Sequence, residues 1–94
     1  MDKIVFITGA SSGIGAGCAR KFASQGASLI LNARNEEKLS ALKEELEQQY
    51  GARVCLLPFD VRDRKTAAEA LASLPDEWKA IDILINNAGL VIGV

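Results

Sequence analysis

The sequence predicts an α/β domain built on a doubly wound parallel sheet, and three observations lead to it. Four short apolar runs alternate with three longer segments of helical periodicity along the 94 residues, the rhythm of strands joined by helical crossovers. Hydrophobic residues make up 49% of the chain but aromatic ones only 5%, which suits a core of Ile, Leu, Val and Ala between strands covered on both faces. A loop of glycine and serine, "TGASSGIG", separates the first apolar run from the first helical segment, in the place where such sheets bind ligands.

The elements follow in order. Lys3 to Ile7 is a β-branched and aromatic run ended by Thr8 and Gly9, a buried first strand. Ile14, Cys18, Phe22 and Ala23 recur at helical spacing until Gly26, a residue suited to the position past a helix end. Leu29, Ile30 and Leu31 make the second strand. Asn35 then caps a helix whose Leu39, Leu42, Leu46 and Tyr50 share one stripe, the opposite Glu, Lys and Gln face being solvated. Gly51 ends that helix, Val54 to Leu57 form the third strand, and Asp63 caps a third helix bearing Ala67, Ala70, Leu71 and Leu74. Pro75 stops it. Ile81, Ile83, Leu84 and Ile85 complete a β-α-β-α-β-α-β chain, whose right-handed crossovers give the strand order 3-2-1-4 with the fourth strand as an edge.

Composition removes several functions. The formal charge of −1 offers no basic excess for a phosphate backbone, so no nucleic-acid partner is expected. No apolar stretch approaches the roughly 20 residues of a membrane span and none resembles a signal core, which predicts a soluble, cytoplasmic chain without a membrane partner. There is no histidine, hence no Ser-His-Asp or Cys-His arrangement and no ordinary histidine metal site. Cys18 and Cys55 form no metal spacing and are expected to be small buried thiols in a reducing compartment.

The loop carries the chemistry. Gly9 permits a tight turn, and Gly13 and Gly15 let a phosphate approach backbone N–H groups at a helix N-terminus, with Ser11 and Ser12 adding hydroxyls. Ser12 can also be read as only a helix cap. The absence of a Lys and Ser/Thr pair after the last glycine argues against a P-loop, and therefore against an ATPase or GTPase.

With its spacing Gly9-x-x-x-Gly13-x-Gly15, this loop resembles the T-G-x-x-x-G-x-G signature of the short-chain dehydrogenase/reductase family. Two further matches stand in the same order: "FDVRD" after the third strand and "NNAG", Asn86 to Gly89, after the fourth. The resemblance implies a Rossmann-like fold, of which residues 1–94 are the N-terminal part of a dinucleotide-binding domain. It implies that Gly9, Ser11, Ser12, Gly13, Ile14 and Gly15 cradle a pyrophosphate, that Asp60 and the Val61 N–H contact adenine, and that Asn87, Ala88 and Gly89 support the sheet and meet the adenosine ribose. On local chemistry alone, Asp60 and the two asparagines could equally serve as turn formers.

Cofactor choice is read at the end of the second strand, "LNARN". Aligned with the family, Ala33 occupies the position of the acid that grips a ribose 2′-OH in NAD enzymes, and Arg34 follows it. A guanidinium grips a phosphate bidentately, and the missing carboxylate removes a repulsion, so the expected cofactor is NADP. The competing reading is an exposed Arg34 neutralised by Glu36 or Glu37.

"SLPDEWKAIDILINNAGL" resembles, within that family, the NADP-dependent 3-hydroxy acid dehydrogenases acting on serine, allothreonine and related acids. The resemblance implies an oxidoreductase transferring hydride between NADP(H) and a small hydroxy or keto substrate, and a homo-oligomer for the full enzyme. Its catalytic Asn, Ser, Tyr and Lys would lie beyond the fourth strand. Tyr50 is the only tyrosine and precedes Gly-Ala-Arg-Val, not the x-x-x-Lys of that family, so the 94 residues hold no catalytic residue and are expected to be inactive alone. Trp78 is expected to pack between the third helix and fourth strand, and the apolar Leu90 to Val94 reads as a continuing chain. An alternative function is a stand-alone NADP(H)-binding regulatory or interaction module that presents its sheet edge to a partner.

Overall fold

The computed structural model describes residues 2–60 and 63–87. Its strands are β1 (Ile4–Thr8), β2 (Ser28–Asn32), β3 (Val54–Leu57) and β4 (Ile83–Asn86). All pairings are parallel and the sheet order is β3-β2-β1-β4. The helices are α1 (Gly13–Ser24), α2 (Glu36–Tyr50), α3 (Arg64–Ala72) and a one-turn α4 (Asp76–Lys79).

Strand alternation divides the core. On β1 and β2, Val5, Ile7, Leu29 and Leu31 meet Ala16, Ala19 and Ala23 of α1 and Leu39, Leu42 and Leu46 of α2. Phe6 and Ile30, paired in register, face the other way onto Leu74 and Trp78. Arg53 lies over the Trp78 ring, 4.9 Å from its centroid, and the indole joins Phe6, Ile30 and Leu74, with Cys55 and Leu57 of β3 packed against them. Among the described residues this cluster takes in none of α3 or β4, so Trp78 sits toward β3 and not between the third helix and the fourth strand as expected.

Local chemistry sets the helix limits. The Ser12 hydroxyl, the Asn35 carboxamide and the Asp63 carboxylate accept hydrogen bonds from the N–H groups of Gly15, Lys38 and Thr66 respectively. Gly26 and Gly51 take positive φ (85° and 64°) past the ends of α1 and α2, a backbone region that penalises a Cβ.

Several expectations change. Ile14 is 75% exposed, and the buried stripe of α1 runs through Gly15, Ala16, Ala19 and Ala23. The helix approaches the sheet on its small residues, and a bulkier stripe would hold it off. Tyr50, in the last turn of α2 beyond the buried Leu39, Leu42 and Leu46, is also exposed. Helix α3 buries no residue completely. Pro75 both follows α3 and caps α4, which brings Trp78 into the core. Ile81 precedes β4, and Cys18 and Cys55 are half-buried free thiols.

Candidate functional site

The carboxyl ends of β1, β2 and β4 converge on the Gly9–Gly15 loop. Gly9 has φ 62°, a left-handed turn that brings the chain from β1 back toward the start of α1. Ala10 N–H then bonds the Asn32 carbonyl at 2.9 Å, tying the loop to the end of β2.

Ser12 spends its whole hydroxyl on this loop. It donates to the Gly9 carbonyl (2.9 Å) and accepts from the Gly15 N–H (3.1 Å) and the Asn87 amide (2.8 Å). Its one proton is thus committed within the protein. Asn87 Nδ2 also reaches the Gly9 carbonyl at 3.3 Å. Thr8, buried beneath, donates to Asn86 Oδ1 at 3.1 Å and accepts from the Asn87 N–H at 3.0 Å. Its role was not foreseen, although a polar residue ending an apolar strand run signals a buried hydrogen-bonding position.

Two glycines of the loop meet opposite surroundings. A Cβ on Gly15 would collide with the Gly9 carbonyl oxygen and crowd Asn87 Nδ2 at 2.9 Å, whereas one on Gly13 would meet nothing within 4 Å. The first keeps α1 tight against the loop; the second leaves open space directly over the helix N-terminus. Ser12 caps Gly15, and the Ala16 N–H bonds the Ser12 carbonyl. Among the described residues, the Gly13 and Ile14 N–H groups have no acceptor, so they and the positive end of the helix dipole suit an anion.

Beyond β2 an open groove of about 420 Å³ is lined by Ser11, Arg34 and Asn35. Ala33 is buried there and offers no charge. The Arg34 side chain is 71% exposed, and its Nη1 lies 3.9 Å from Asp60 Oδ2. A loose pair of this kind is strongly screened and leaves the guanidinium available to a phosphate. Arg34 therefore pairs with the acid from the end of β3, not with Glu36 or Glu37. Of the expected site residues, Val61, Ala88 and Gly89 lie outside the described residues; the others gather along this one edge of the sheet. A pyrophosphate fits the open side of Gly13 and a further phosphate fits Arg34, so a dinucleotide phosphorylated on its adenosine ribose matches the donor set.

A family model for short chain dehydrogenases matches residues 3–94. The chain belongs to the short-chain dehydrogenase family. The NADP-dependent 3-hydroxy acid dehydrogenase of Escherichia coli is 46% identical to it over 91 residues, which is 97% of this chain and 35% of that protein. Sulfoacetaldehyde reductase 2 of Chromohalobacter salexigens is also 46% identical, over 92 residues, 98% of this chain and 36% of that protein. Among solved structures, L-sorbose reductase from Gluconobacter frateurii, crystallised with NADPH and L-sorbose, superposes with a TM-score of 0.86 at 36% identity, covering 95% of this chain and 34% of its own. The chain thus spans about a third of the length of these short-chain dehydrogenases.

Among the described residues no helix is long and apolar enough to cross a membrane, and no group of His, Cys, Asp and Glu could hold a metal ion.

Proposed function

We propose that this chain is the NADP-binding part of an oxidoreductase that moves hydride between NADP(H) and a small hydroxy or keto substrate, a 3-hydroxy acid such as serine being the leading class. The observation that carries the reading is Arg34, exposed beside Ser11 in an open groove where Ala33 leaves no carboxylate to repel a phosphate. The 3-hydroxy acid dehydrogenase named above supports the substrate class; the sulfoacetaldehyde reductase at equal identity keeps that class broader than one acid.

In this reading the Gly13 and Ile14 N–H groups take the pyrophosphate, while Gly9, Ser12 and Gly15 hold the loop in shape. Arg34 grips the 2′-phosphate with help from the Ser11 hydroxyl. Asp60 and Val61 meet the adenine, and Asn87, Ala88 and Gly89 meet the adenosine ribose. When bound, the nicotinamide supplies or accepts the hydride. The 94 residues contain no Tyr-x-x-x-Lys pair, so we assign them cofactor binding without turnover of their own.

NADPH should bind more tightly than NADH, measured by fluorescence or calorimetric titration. Arg34→Ala should remove that preference at a cost of about 1.5–3 kcal/mol, the usual worth of a charge-assisted hydrogen bond. Equal affinities for the two cofactors in the unmutated protein would overturn the assignment.

A further inference from the structure

Asn32 ends β2 as a carboxamide only 1% exposed, after the apolar Leu29, Ile30 and Leu31. A buried amide at this position is costly unless it is fully bonded. Its Nδ2 donates to the Leu57 carbonyl at 2.9 Å and to the Phe59 carbonyl at 3.0 Å. Leu57 is its register partner on β3, and the Phe59 N–H turns back onto the Leu57 carbonyl at 3.1 Å around Pro58. The side chain therefore continues the β2–β3 ladder where backbone pairing stops, and clamps the turn that immediately precedes Asp60. Its backbone carbonyl meanwhile accepts from Ala10 of the glycine loop, and Arg34 is two residues further on.

We infer that Asn32 is a positioning residue for the adenosine end of the cofactor: its one carboxamide fixes the Asp60 turn relative to Arg34, while its carbonyl fixes the glycine loop. This rests on the NADP-binding reading. Leucine at this position would fill a similar volume and continue the apolar run, yet it would leave the Phe59 carbonyl without this donor. The amide is thus required by the direction of the turn and not by burial.

The test is a double-mutant cycle on the full chain, read as the dissociation constants of NADPH and of adenosine 2′,5′-bisphosphate, with thermal unfolding recorded for each variant. Asn32→Leu should weaken both ligands about tenfold, and Asn32→Ser, which retains one shorter donor, about threefold. Asp60→Ala should weaken binding in the unmutated background but have little further effect beside Asn32→Leu, because residues acting through one element are not additive. A role in stability alone would lower the melting temperature and leave the Asp60 effect additive. If Asn32→Leu does not fold, the serine variant decides: undiminished affinity, or an additive Asp60 effect, overturns the proposal. Failure of the unmutated chain to prefer NADPH overturns the cofactor reading; a retained preference with unresponsive Asn32 variants overturns only the positioning role.

Discussion

Gly13 and Gly15, two residues apart, answer to different constraints, and substitution separates them. Gly15→Ala drives a Cβ into a backbone carbonyl that cannot rotate away, so we expect a loss of about 1–3 kcal/mol in stability, read by denaturant titration. Gly13→Ala places its methyl in open space; its melting temperature should be unchanged or higher, while NADPH affinity should fall because the methyl enters the space proposed for the phosphate. The glycine spacing was legible in the sequence, but this division of labour was not, since only the fold brings the Gly9 carbonyl and Asn87 against Gly15. Ile14 misled for a related reason. Periodicity identifies an apolar stripe without weighing how closely small residues let a helix approach, and here the alanines face the sheet.

At the level of elements, caps and glycine stops were readable because each acts within a few residues. Asn35 and Asp63 hold the helix starts that their residue types suggested. Pro75 follows α3 and also stands at the start of the short α4, a double use that a terminating proline in the sequence does not signal. Between α1 and α2, Arg20 and Glu45 form a two-pronged ion pair, Nη2 to Oε1 at 3.1 Å. The hydrogen bond from Arg20 holds the Glu45 carboxyl below its ordinary 4.5. The Thr66 hydroxyl and then its N–H do the same for Asp63, whose ordinary value is 3.8. Both pKa values are lowered by folding, so their stabilisation is present above the ordinary values and is lost as pH falls through the lowered ones. Thermal melts should therefore show a decline that begins below about pH 4.5, and Glu45→Gln should remove the part belonging to Glu45. Asp63→Ala should lower stability at neutral pH by removing the cap on the Thr66 N–H, read by denaturant titration.

Across the whole molecule, the two faces of the sheet are unequal. The α1–α2 face carries the larger buried cluster, whereas the cluster on the opposite face has, among the described residues, Phe6, Ile30, Leu74 and Trp78 buried, beside an apolar cavity of about 170 Å³ lined in part by Leu71, Ile81 and Leu84. Leu39→Ala, at a fully buried site, should cost about 2–5 kcal/mol. Leu71→Ala, at 36% exposure, should cost less, about 1–2 kcal/mol, because roughly a third of that residue already meets water. Chemical denaturation of the two variants checks the contrast, and a Leu71 cost equal to that of Leu39 would overturn it. Helical periodicity in the sequence marks which side of α3 is apolar but not how much surface covers it.

By itself the sequence determined the order and type of the strands and main helices, the parallel sheet and the glycine loop. Each of these depends on local periodicity, backbone freedom or capping within a few residues. The tertiary structure alone decided that Asn87 reaches the Ser12 hydroxyl, that Thr8 and Asn87 lock β4 to the glycine loop, that Arg34 faces Asp60, and that Asn32 clamps the turn before that acid. Those pairings join residues from 25 to 79 positions apart, and hydrogen bonds over such separations exist only once parallel pairing has set strand ends side by side.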